Sequence, residues 1–173
     1  MQRKAAFVLV AAMVFTAAAA QVLVIGEKVP DFRVKEWADM YKPISAPQKM
    51  MLVEFFHPSN EGSVGRLAEL DRLARDYPAG LTVVVITKED SAEVRRMLRE
   101  ASVRYHIGID DAGRTFAAFG VQYVPYAVLV DPKGRLLWVG NSTTMDDSVI
   151  ENNLENGIYQ DRSLRKTPQG GKR

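Results

Sequence analysis

Two kinds of hydrophobic run alternate along the chain. Met50 to Phe56 is continuous and apolar except for Glu54, and Leu81 to Ile86 is continuous and rich in β-branched residues. Runs of this length predict strands covered on both faces of a sheet. Tyr126 to Val130 predicts a third such strand, and Tyr105 to Ile109 a short one. Asp131-Pro132-Lys133-Gly134 has Pro and Gly where a turn needs them, so Arg135 to Val139 reads as the returning partner strand.

Between the strands the period lengthens. After Pro58-Ser59-Asn60, the residues Val64, Leu67, Leu70 and Leu73 recur at three-residue steps and predict a helix with one apolar stripe, ended by Pro78-Ala79-Gly80. Asp90 and Glu93 have capping-box spacing and open a second helix through Val94, Met97, Leu98 and Ala101. Thr115 to Phe119 predicts a short helix closed by Gly120, and Asp146 to about Tyr159 a last one with Val149, Ile150 and Leu154 on its apolar side. Val29 to Phe32 is extended, Trp37 to Tyr41 forms one helical turn, and Lys42 to Gln48 is a loop. The order β-α-β-α followed by β-β-α predicts an α/β domain whose mixed central sheet has helices on both faces.

The N-terminal stretch stands apart. Arg3 and Lys4 precede an apolar run from Ala5 to Ala20, and Ala18 and Ala20 fit an A-x-A cleavage site. Residues 1–20 therefore read as a signal peptide, which places the protein in a periplasmic or secreted compartment. An uncleaved membrane anchor is the alternative, because Val22 to Ile25 extends the run towards the length of a bilayer span. The domain then covers residues 21–160, and residues 161–173 read as a disordered basic tail.

Composition narrows the chemistry. A chain of 173 residues holds one domain. Without Arg3 and Lys4 the Lys+Arg count of 23 falls to equal the Asp+Glu count of 21, and no basic-aromatic stripe suggests a nucleic-acid partner. There is no cysteine, which excludes disulfides, thiol nucleophiles and lipid-modified N-terminal cysteines. With His57 and His106 as the two histidines, no metal site and no cofactor are expected.

Four local motifs carry a resemblance. Ile25-Gly26-Glu27-Lys28-Val29-Pro30-Asp31-Phe32, Leu52-Val53-Glu54-Phe55-Phe56, Tyr123-Val124-Pro125-Tyr126 and Asp131-Pro132-Lys133-Gly134-Arg135-Leu136 occur in the order and at about the spacing of a thioredoxin fold. Over roughly residues 24–154 the chain resembles the TlpA/ResA-type redoxins, exported thiol-disulfide oxidoreductases. The resemblance implies a cis-proline at Pro125 beside the active site. It also implies that the family's C-x-x-C falls on Asn60-Glu61-Gly62-Ser63, so both reactive positions are substituted. Peroxiredoxins, the neighbouring relatives, also attack with a cysteine.

A helix start that would stabilise a thiolate thus carries Asn60 and Ser63, which cannot exchange a disulfide. Ser59 or Asn60 suits the N-cap, and Glu61 places a carboxylate in the first turn. The expected protein is a redox-inactive redoxin that binds an envelope protein or peptide near the cis-proline loop, through Phe56, Asn60, Glu61, Ser63, Val124 and Pro125. Backbone pairing at Val124 would supply affinity there. Two alternatives stand beside it: a non-thiol enzyme that uses Ser63 with His57 as base, and a purely structural envelope component. An open apolar groove at Pro125 favours binding, and a filled one favours the structural role.

Overall fold

The computed structural model describes residues 22–38, 49–89, 91–100 and 103–164. The expected signal peptide, the loop at 42–48 and Asp90 of the capping pair lie outside these residues. Six strands, β1 (Glu36–Trp37), β2 (Met50–Phe56), β3 (Leu81–Thr87), β4 (His106–Ile109), β5 (Tyr126–Val130) and β6 (Leu136–Gly140), form one sheet in the order β1-β4-β3-β2-β5-β6. Strands β2, β3 and β4 are parallel, while β1, β5 and β6 run antiparallel to their neighbours. Among the described residues the α-helices are α1 (Glu61–Asp76), α2 (Ser91–Glu100), α3 (Arg114–Ala118) and α4 (Ser148–Leu164). This is a thioredoxin-like α/β fold, with the mixed sheet and two-sided helix cover that the hydrophobic runs predict.

The unbroken apolar strands follow from their position. Side chains alternate across the sheet, and on β2 Met50, Leu52 and Phe56 enter one core while Met51, Val53 and Phe55 enter the other. The first core is closed by Leu70 and Leu73 of α1, Val94 of α2 and Ile150 of α4. The second is closed by Phe116 of α3, by Phe119, and by Val29 and Phe32 of the N-terminal segment. That segment lies along the β5–β6 hairpin, where Leu136 donates its N–H to the Glu27 carbonyl and Lys28 bridges to Arg135. Phe32 stacks on Phe119 with ring centroids 5.1 Å apart.

Three local expectations change. Glu36 and Trp37 form the edge strand β1, paired with Ile109 and Gly108, where a helical turn is expected from Trp37; residues 39–41 lie outside the described residues. Helix α4 continues past Tyr159 to Leu164, into the stretch expected to be disordered. On α1, Val64 is exposed, and the buried positions are Ser63, Arg66, Leu70 and Leu73. A helix turns about 100° per residue, so three-residue steps drift round the cylinder and leave Val64 on the side opposite Leu73.

Candidate functional site

Strand β2 ends at Phe56, and the chain turns through His57-Pro58-Ser59 into α1. Asn60 is the N-cap, in extended conformation, and its Oδ1 accepts the Ser63 N–H at 2.9 Å. The other end of the same amide donates from Nδ2 to the Val124 carbonyl at 3.2 Å. One side chain therefore caps the helix and ties it to the loop before Pro125. The Val124–Pro125 bond is cis. Gly62 fits closely against this loop, since a Cβ there would lie 3.3 Å from Pro125 Cδ and 3.2 Å from Asn60 Oδ1. Asn60, Gly62, Val124 and Pro125 thus meet in one junction, and Glu61 is an exposed carboxylate in the first helical turn.

Two of the expected site residues face elsewhere. Phe56 is buried in the core beneath α1, so it lines no open groove. Ser63 is also buried, and its Oγ has no hydrogen-bond partner among the described residues. His57 does not serve it. Its Nδ1 accepts the Ser59 N–H at 3.2 Å, and its Nε2 lies 3.3 Å from a Glu89 carboxylate oxygen. A serine nucleophile needs a base within hydrogen-bond reach, and the structure points Ser63 inwards and His57 outwards. The carbonyl of Val124 accepts one hydrogen bond from Asn60, which occupies one of its two lone pairs.

Beneath the junction lies a polar cluster that the motifs did not reveal. Glu54 sits in the middle of β2, fully buried, with Oε1 accepting the Ser142 hydroxyl at 2.7 Å and Oε2 without a partner. Arg66, one turn along α1 from Ser63, is buried with Nε and Nη2 unpartnered. Burial pushes the Glu54 carboxyl up to about 7, against the smaller opposing effects of the Ser142 hydrogen bond and the Arg66 charge. The signal for this cluster was present in the sequence: Glu54 is the one charged residue in a strand otherwise apolar on both faces, and buried charges need partners.

Beside the exposed Glu61, two large apolar side chains face solvent. Tyr123, two residues before Pro125, is 56% exposed, and Val64, in the first turns of α1, is 47% exposed. Tyr123 meets Tyr126 edge-on with ring centroids 5.6 Å apart. Among the described residues, no group of three His, Asp or Glu side chains is placed to hold a metal ion.

Solved structures of the same architecture are numerous. The chain superposes on a protein described as the thiol:disulfide interchange protein DsbE of Chlorobium tepidum with a TM-score of 0.64 and 16% identity, over 77% of this chain and 99% of that one. A thiol-disulfide isomerase from Corynebacterium glutamicum gives a TM-score of 0.61 and 18% identity, over 74% and 94% of the two chains. A PrxQ variant from Xylella fastidiosa gives 0.62 and 13% over 81% and 98%. Identities this low establish the fold alone. No curated protein sequence matches the chain. The AhpC/TSA profile matches residues 25–139, which take in β1 to β5, the junction of α1 with the cis-proline loop and nearly all of β6. The chain belongs to the AhpC/TSA family, and it does so without a cysteine at any of its 173 positions.

Proposed function

We propose that this protein is an exported, redox-inactive redoxin, similar in motif pattern to the TlpA/ResA type, that binds an envelope protein or peptide at the face around Pro125. The observation that carries this reading is the exposed Tyr123 on a loop held to α1 by the Asn60 amide. An aromatic side chain presented on a fixed loop loses little freedom on binding, the property that makes Tyr a frequent interface anchor. Val64 is exposed on α1, one turn along from Asn60. On this reading affinity comes from the Tyr123 and Val64 side chains, and the second lone pair of the Val124 carbonyl can take a partner's N–H.

The Asn60–Val124 bond also favours a second reading, a structural component whose junction is closed for stability alone. A photo-crosslinking residue placed at Tyr123, at Val64 and, as control, at the exposed Glu155 of α4 separates the two. A shared adduct from the first two positions, absent from the third, supports binding. No adduct, or the same adducts from all three, leaves the structural role. Insulin reduction and disulfide oxidation should stay at background; turnover by the purified chain would refute the redox-inactive part of the reading.

A further inference from the structure

At the other end of the sheet, where the parallel strands begin, the fold leaves a cavity of about 330 Å³ between the end of α1 and the starts of β2, β3 and β4. Its floor is apolar, with Ala74 and Leu81. Its polar side chains are Lys49, Thr82, Arg104 and His106, and among the described residues that line it none is a carboxylate. Apolar and polar residues line it in equal number, and its volume is at the small end of the range of small-ligand sites.

The charge balance decides the sign of a ligand. The carbonyl end of α1 contributes about half a negative charge, which is met in part: the Leu73 carbonyl accepts from Tyr77, that of the C-cap Tyr77 accepts from Gly80 and Leu81, and that of Pro78, just beyond the helix, accepts from the Lys49 ammonium at 2.6 Å. The nearby Asp71 carboxylate accepts the Arg104 backbone N–H at 2.8 Å and pairs with Arg75. Against this stand two formal positive charges, Lys49 and Arg104, with an imidazole beside them. An ammonium has three donors and a guanidinium five, so one bond from Lys49 to Pro78 leaves donors to spare.

We infer that this cavity binds a small organic anion, its carboxylate or phosphate head met by Lys49 and Arg104 and its apolar body, no larger than a single ring, lying on Ala74 and Leu81. The site is a strand length from Pro125 and independent of the function proposed there.

Titration of the full chain with benzoate, phenyl phosphate and benzyl alcohol, followed by amide NMR, tests it. Saturable shifts at Thr82, Val83 and Arg104 with either anion, but not with the neutral alcohol, are expected. The tighter of the two anions identifies the head group. Lys49→Gln and Arg104→Gln should each weaken binding by about tenfold, the loss of one charge-assisted hydrogen bond, with melting temperatures unchanged. No saturation by either anion, equal binding of benzyl alcohol, or unaltered affinity in both variants would overturn the inference.

Discussion

Glu54 and Asp110 are both buried carboxylates, and the fold treats them in opposite ways. Asp110 follows β4 and precedes α3. Its Oδ1 accepts the Arg114 N–H at 2.8 Å, and its Oδ2 accepts those of Thr115 at 2.8 Å and Phe116 at 3.0 Å. Glu54 has one hydrogen bond, from Ser142, and an oxygen with none. Burial is the same, so the supply of donors makes the difference. A helix start delivers unpaired N–H groups to any acceptor that reaches it. A central strand spends its N–H groups on its neighbours, here β3 and β5, and leaves a buried carboxylate to depend on other side chains. Asp110 completes a local structure, whereas Glu54 is a titratable group under the junction of α1 with Pro125.

The largest effect should come from breaking the satisfied member. Asp110→Ala strands three backbone donors, two of them buried and that of Arg114 part-buried, and each hydrogen bond to a charged acceptor is worth about 1.5–3 kcal/mol without being additive. A loss of about 4 kcal/mol is expected in denaturant unfolding. A loss under about 1 kcal/mol would mean that water reaches those amides and that the comparison overstates their isolation.

The unsatisfied member should show itself through pH. Its carboxyl titrates near 4.5 in the unfolded chain and near 7 in the fold. The neutral form is therefore favoured by folding, so the stabilisation is complete below pH 4.5 and is lost as pH rises to 7. The shift corresponds to about 3 kcal/mol across that window. Urea unfolding between pH 4.5 and 7.5 measures the slope, and Glu54→Gln should flatten it. An unchanged slope in the variant would assign the pH dependence to other groups.

The sequence made these two residues unequally legible. Strands β2, β3 and β5 are readable because residues buried on both faces form continuous apolar runs, and Glu54 stands out in one of them. Its surroundings are not readable, because Arg66 and Ser142 reach it from α1 and from the 3-10 turn Ser142–Thr144, far along the chain. The stripe drawn through Val64 failed for a local reason: the first turns of α1 turn Ser63 and Arg66 inward, and an apolar count along the helix passes over both. Strand β1 has two residues, too few to show a period. The Asn60 cap is legible from residue type, but its second bond, to Val124, depends on a contact across 64 positions.

That second bond can be separated from the first. Asn60→Ala removes the cap and the tie together and should cost about 1–2 kcal/mol. Asn60→Asp keeps an acceptor for the Ser63 N–H, and its charge suits a helix N-terminus, but it has no donor for the Val124 carbonyl. If the tie matters, Asp should recover about half of the loss in stability, and crosslinking from Tyr123 should stay reduced. Full recovery of both would show that the cap alone organises the junction.

The smallest effect has the opposite sign. Ser63 has a buried hydroxyl with no partner, and its useful bond is made by its backbone N–H to Asn60. Ser63→Ala deletes an unsatisfied polar atom, keeps the capped N–H and places a better helix former in the first turn. Stability should rise by up to about 1 kcal/mol, with crosslinking from Tyr123 unchanged. A loss of stability would mean that the hydroxyl is engaged, most simply by a water shared with Glu54 Oε2 or Arg66. The Glu54 cluster would then be satisfied in solution, and its contrast with Asp110 would shrink to a difference between water and backbone as partners.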